Sequence, residues 1–156
     1  MVGVERISLS DPNWINSGLH FLKRDGVVVV ECCLSNTEAE TISSSLENAL
    51  ESARSSIGRS RLERSGELGI VRSPYQYSDV FFSVLINSTI LNVVESVLGA
   101  TAILHLQNGI VLEPHHSGNS SSFQETLHRD FPRYLDGYVA SLNSFICLSN
   151  FTNQNG

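Results

Sequence analysis

The character of the sequence changes at Gly99, from mostly helical to β-rich, and that change limits the possible folds more than any other feature. Before Gly99, apolar residues recur at helical spacing; after it, the chain is β-rich and interrupted by polar stretches. Asp11-Pro12 reads as an N-cap followed by proline at the first helical position, and Trp14, Ile15, Leu19 and Leu22 then share one face as far as Lys23. Asp25-Gly26 turns the chain into Val27 to Val30, a β-branched run without alternation that suits a strand buried on both faces. Ser35 and Glu38 form a capping box, and Ile42, Leu46, Ala49, Leu50 and Ala53 continue from it as a helix of about five turns. A second helical region, broken near Asn87-Ser88, carries Val80, Phe81, Val84, Leu85, Leu91, Val94, Val97 and Leu98 and stops at Gly99. Beyond it, Thr101 to Leu112 and Tyr138 to Leu148 read as strands, with Glu113 to Ser122 a polar loop and Phe123 to Leu127 a short extended segment. Helices first and strands second is an α+β order, not regular βαβ winding. So few strands make a small sheet for the helices to cover, so the sequence is expected to stop inside its own β-structure.

Between the two helical regions, Ser55 to Pro74 is rich in Ser, Gly, Arg and Glu and has little periodicity. It is expected to be a mobile surface loop whose Arg59, Arg61, Arg64 and Arg72 suit an anionic group at the mouth of a site.

Composition narrows the function classes. A chain of 156 residues, 41% apolar and 17% charged, supports one core and one domain. The net charge of -6 and the lack of a basic stripe interleaved with aromatics argue against nucleic acid as a partner and leave a small molecule or a protein. No apolar run is long enough to span a bilayer, so no membrane partner is expected. Met1 to Ser10 has no apolar signal core, and the odd set Cys32, Cys33 and Cys147 makes no disulfide framework, so the expected location is the cytoplasm. No Gly-rich phosphate loop is present.

The densest group of ligand-type side chains lies between Glu113 and Asp130, with His115, His116, His128 and Asp130 in one strand-loop-strand unit. Residues i and i+2 of an extended segment project to the same face, so His128 and Asp130 can offer an imidazole nitrogen and a carboxylate oxygen to one point while Arg129 turns away. A non-haem Fe(II) site takes two histidines and one carboxylate on one face and leaves the other positions open. The spacing also permits a plain His-Asp pair near a strand end. His-Arg-Asp resembles a kinase catalytic loop, but the only lysine, Lys23, lies in a helical segment and no Asp-Phe-Gly follows. A zinc site from His115, His116 and His128 fits poorly, because adjacent strand histidines point to opposite faces.

Phe21 to Val30, the Leu34-Ser35 helix start, Arg72-Ser-Pro-Tyr-Gln-Tyr77, Leu98-Gly99, Leu104 to Gln107, Leu127-His-Arg-Asp130 and Asn153-Gln-Asn-Gly156 together resemble the phytanoyl-CoA dioxygenase family of Fe(II)/2-oxoglutarate oxygenases. The resemblance spans about residues 20–156 and lies in the order and spacing of these elements. It implies a double-stranded β-helix, a cupin-like jelly roll with helices packed outside: residues 11–99 would be the helical layer with one strand, and 100–156 the first part of the roll. His128 and Asp130 match the family's His-x-Asp iron motif, and the implied cofactors are Fe(II), 2-oxoglutarate and O2. Gln107, before the motif, and Asn143, after it, are the candidate cofactor- or substrate-binding residues. Arg129 and Arg133 flank the iron pair and are expected to be solvated surface charges, with steering of an anionic substrate the alternative, and Phe145 and Ile146 read as core. Family members continue past the Asn-Gly turn to a second iron histidine and an arginine that pairs with 2-oxoglutarate, and neither matches a residue here. The resemblance therefore implies an N-terminal part of a small-molecule hydroxylase that is inactive by itself, or else a binding module derived from the family.

Overall fold

The computed structural model describes residues 3–112, 130 and 137–152. In chain order these form β1 (Arg6–Ser8), α1 (Trp14–Asp25), β2 (Val29–Glu31), α2 (Asn36–Ile57), α3 (Arg59–Ser65) and β3 (Ile70–Arg72). A 3-10 turn at Pro74–Gln76 then leads into α4 (Val80–Leu85), α5 (Ser88–Leu98) and β4 (Asn108–Ile110). Among the described residues the strands make two two-stranded sheets, so the architecture is mixed helix and strand.

Helix α1 starts at Trp14, later than the Asp11-Pro12 signal suggests, because the Asp11 carboxylate accepts the Asn13 amide at 2.8 Å and holds the chain in a turn. Gly26 ends the helix in the left-handed region, φ 76°, with its amide on the Leu22 carbonyl at 2.9 Å. The valine run is not a strand buried on both faces. Among the described residues β2 pairs with β1 alone, in parallel, with Ile7 opposite Val30, and Val27 remains 47% exposed. Burial of both faces needs a packed layer on each side of the ribbon, and the pattern of the run alone does not reveal whether those layers are present.

The capping box forms as its spacing predicts: the Glu38 amide donates to Ser35 Oγ at 3.2 Å and the Ser35 amide to Glu38 Oε2 at 2.7 Å. From there α2 runs for 22 residues, about six turns, and buries Ile42, Leu46, Ala49, Leu50 and Ala53 along one stripe. These hydrogen bonds hold the Glu38 carboxyl below its usual range, Ser35 being the cause. The folded form is therefore favoured above the ordinary glutamate range, and that contribution disappears as pH falls through the lowered value. Replacing Ser35 by alanine is expected to lower stability by about 1 kcal/mol at neutral pH. Glu38→Ala should flatten the acid limb of the melting temperature against pH, and unchanged limbs in both variants would show that the cap does not hold the helix.

The segment expected to be a loop is largely structured. α2 continues to Ile57, α3 follows with Leu62 buried, and β3 starts at Ile70. Two of its four arginines pair with local acids, Arg59 Nε lying 3.5 Å from Glu63 and Arg72 Nε donating to Glu67 at 3.0 Å, and Arg54, just before the segment, donates to the Leu68 carbonyl at 3.2 Å. A helix of about two turns with a single buried residue leaves almost no apolar period, which is why the sequence hides it.

The core is the contact between α2, β3 and α4, where Ile42, Leu46, Ala49 and Leu50 meet Val71 and Phe81. β3 pairs antiparallel with β4, placing Val71 opposite Gly109 and Arg72 opposite Asn108. Gly109 lies directly under α2; a Cβ there would sit 2.1 Å from Leu46 Cδ1. The helical break at Asn87 is a cap, since its side-chain oxygen accepts the Thr89 and Ile90 amides at 3.0 and 3.2 Å. Its amide nitrogen also donates to the Cys33 carbonyl at 3.2 Å, which ties the start of α5 to the turn after β2.

Two strand expectations shrink. Only Asn108–Ile110 of the Thr101 to Leu112 stretch joins a ladder, and residues 138–148 join none among the described residues. Phe145, read as core, is 81% exposed, and Ile146 is half-buried.

Candidate functional site

Asp130 is exposed, and the Asn143 side-chain amide donates to its Oδ2. The candidate chosen after the iron motif is thus in direct contact with the carboxylate of the motif itself. His128 lies outside the described residues, as do His115, His116, Arg129 and Arg133. Among the described residues no three His, Cys, Asp or Glu side chains converge as a metal cage.

Gln107 is held differently. Its Nε2 donates to the Phe81 carbonyl of α4 at 3.2 Å, and its own carbonyl accepts the Ser73 amide at 2.9 Å. Side chains alternate along a strand, and Gly109, two residues on, faces Leu46, so Gln107 shares the side of the strand pair that looks onto the helices. Its Oε1 is buried and has no hydrogen-bond partner among the described residues. That leaves one acceptor available to a ligand donor or to water.

Two features escaped the sequence reading. Ser73, just before buried Pro74, adopts the left-handed region at φ 50°, fixed by its hydrogen bond to Gln107. Arg72-Ser-Pro carried a turn signal, but not its hand. Asn108 bridges the strand pair: with its carboxamide placed to satisfy both neighbours it accepts from Arg72 Nη1 at 3.2 Å and donates to the Gln107 carbonyl at 3.2 Å. Of the four arginines of residues 59–72, Arg59 and Arg72 are already paired with acids on their own segment. Cys33 is no nucleophile candidate, because partial burial and neighbouring Cys32 push its thiol up.

A carboxylate with an imidazole is a donor pair that first-row divalent metals, Fe(II) among them, accept. Asp130 supplies a carboxylate, His128 would supply an imidazole two residues earlier, and ligating carboxylates are normally oriented by an outer hydrogen-bond donor such as Asn143 provides.

Comparison with known proteins gives the same direction. Residues 22–156 match the phytanoyl-CoA dioxygenase (PhyH) family. An uncharacterized protein of Mycobacterium bovis and one of Mycobacterium tuberculosis are each 38% identical over 132 residues, covering 84% of this chain and 48% of the relative. The chain thus spans about half the length of the curated relatives it matches. No solved structure matches. No helix among the described residues is long and apolar enough to cross a membrane. The family match begins at Leu22, within α1, and runs through β4, the Asp130 and Asn143 pair and the His128-x-Asp130 motif, and on it this chain belongs to the phytanoyl-CoA dioxygenase family.

Proposed function

We propose that the chain contributes two of the three metal donors, His128 and Asp130, of an Fe(II)/2-oxoglutarate-dependent dioxygenase that hydroxylates a small molecule in the cytoplasm. The observation that carries this reading is the Asn143 to Asp130 hydrogen bond within a family match that spans the His-x-Asp motif. Residues 11–99 would form the helical layer and 100–156 the first part of the jelly roll. Iron with 2-oxoglutarate and O2 supplies the oxidising chemistry when bound. The protein's own part is orientation. Asn143 fixes the Asp130 carboxylate so that it need not reorganise when metal enters, and Oε1 of Gln107 accepts a hydrogen bond from a substrate hydroxyl or an ordered water.

No histidine follows Asp130 in the sequence. On this reading the 156 residues alone hold iron weakly and turn nothing over. Anaerobic calorimetric titration with Fe(II) should give weak binding that His128→Ala or Asp130→Ala abolishes. Tight binding that survives both substitutions would remove the pair from any metal site. Absence of binding in the parent, together with 2-oxoglutarate turnover absent from a chain as long as the mycobacterial relatives, would favour a binding module that has lost its chemistry.

A further inference from the structure

We propose that the cleft between the start of α1 and the C-terminal half of α5 binds a small organic cation of the alkylammonium class. None of the candidate metal or cofactor residues lines it, and it stands independently of the oxygenase reading above.

The cleft measures about 530 Å³ and is lined by Trp14 and Ile15 of α1 and by Asn92, Glu95, Ser96 and Ala100 at and just beyond the end of α5. That volume falls within the range of small-molecule sites. The two helices pack against each other and contribute different chemistry to the space between them. Asn92, Glu95 and Ser96 stand at i, i+3 and i+4, so they share one face of α5. From α1 comes the only tryptophan of the chain, half-buried, with Ile15 beside it.

Three polar features favour positive charge there. Glu95 is exposed and makes no ion pair or side-chain hydrogen bond among the described residues, so its carboxylate is open to a ligand. Ser96 Oγ donates its proton to the Asn92 carbonyl at 2.7 Å, which leaves the hydroxyl oxygen only lone pairs to offer. The last turn of α5 holds no basic residue, so the negative end of its dipole is uncompensated at the end where the cleft lies. No lysine, arginine or histidine lines the space, which disfavours an anion. A bare metal ion needs several oxygen ligands. One carboxylate beside an indole and the apolar Ile15 and Ala100 instead matches a cation clothed in alkyl groups, because tryptophan is the strongest aromatic partner for such a charge.

Because Trp14 is the sole tryptophan, its fluorescence reports on this cleft alone. Titration of the 156-residue protein with choline chloride at constant ionic strength should give a saturable change. Sodium chloride should give none, nor should the neutral isostere of choline in which carbon replaces the ammonium nitrogen. Glu95→Gln, a change at an exposed position, should weaken choline binding about threefold. Trp14→Leu, followed through the amide NMR signals of Asn92 and Ser96, should weaken it by about the same factor. Asp130→Ala should bind choline as the parent does; loss of binding in that variant would place choline at the metal residues and overturn the cleft. A response that does not saturate, an equal response to the neutral isostere, or unchanged affinity in Glu95→Gln would each overturn the proposal.

Discussion

Gly109→Ala is expected to destabilise the protein by about 3 kcal/mol, near the upper end for overpacking a closed contact. The added methyl would meet Leu46 Cδ1 at 2.1 Å, far inside van der Waals contact, and Leu46 is 5% exposed in the middle of the core stripe of α2. Neither partner has room to retreat: β4 is tied to β3 on one side, and Leu46 is enclosed by the cluster that includes Ile42, Leu50, Val71 and Phe81. Leu46→Ala alone should also destabilise, by roughly 2–5 kcal/mol, through the cavity it leaves. The double variant should lose clearly less than the sum, because each change makes space for the other. Urea unfolding of the parent and the three variants measures all of this. A Gly109→Ala protein within about 0.5 kcal/mol of the parent would show that α2 does not press on β4.

Asn143→Leu is expected to weaken divalent-metal binding about tenfold or more while leaving the fold intact. The substitution keeps the approximate shape of the side chain and deletes the donor to Asp130 Oδ2, and because Asn143 is exposed the change leaves the core untouched. Asn143→Gln, which retains an amide donor on a longer arm, should recover part of the affinity. Relaxation of amide signals by Mn(II) reads affinities in the weak range expected of a two-donor site. Equal affinities for the parent and Asn143→Leu would mean that the Asp130 to Asn143 contact has no role in holding metal.

Where local chemistry alone sets the structure, the sequence was legible. Ser35 with Glu38, the Asn87 break and the glycine stops at Gly26 and Gly99 all formed at or beside the expected positions, because each is a short-range hydrogen-bond or backbone preference. The stripe from Ile42 to Ala53 was equally clear, since a long helix repeats its burial pattern several times. What failed depends on neighbours. Val27 to Val30 has the same pattern whether it has one adjacent strand or two, and Phe145 looks like core until nothing covers it. The site divides along the same line. The motif marked Asp130, and the family resemblance suggested Asn143, but the contact between residues thirteen positions apart is a product of the fold. The family resemblance suggested Gln107 as well, but the anchoring of its amide nitrogen on the Phe81 carbonyl is likewise a product of the fold.

The parallel pairing of β1 with β2 gives the first residues of the chain a structural duty that their place ahead of the family match conceals. Arg6 to Ser8 are the sole ladder partner of Val29 to Glu31 among the described residues, Ile7 is 7% exposed, and Arg6 Nε reaches Glu31 at 2.7 Å. Ile7 also rests on Gly18, where a Cβ would lie 2.8 Å from its Cδ1, so strand and helix interlock before the matched region begins. Trimming the protein to start at residue 22 would therefore remove a foundation rather than a tail, leaving β2 as a solitary strand and α1 with only its last turn.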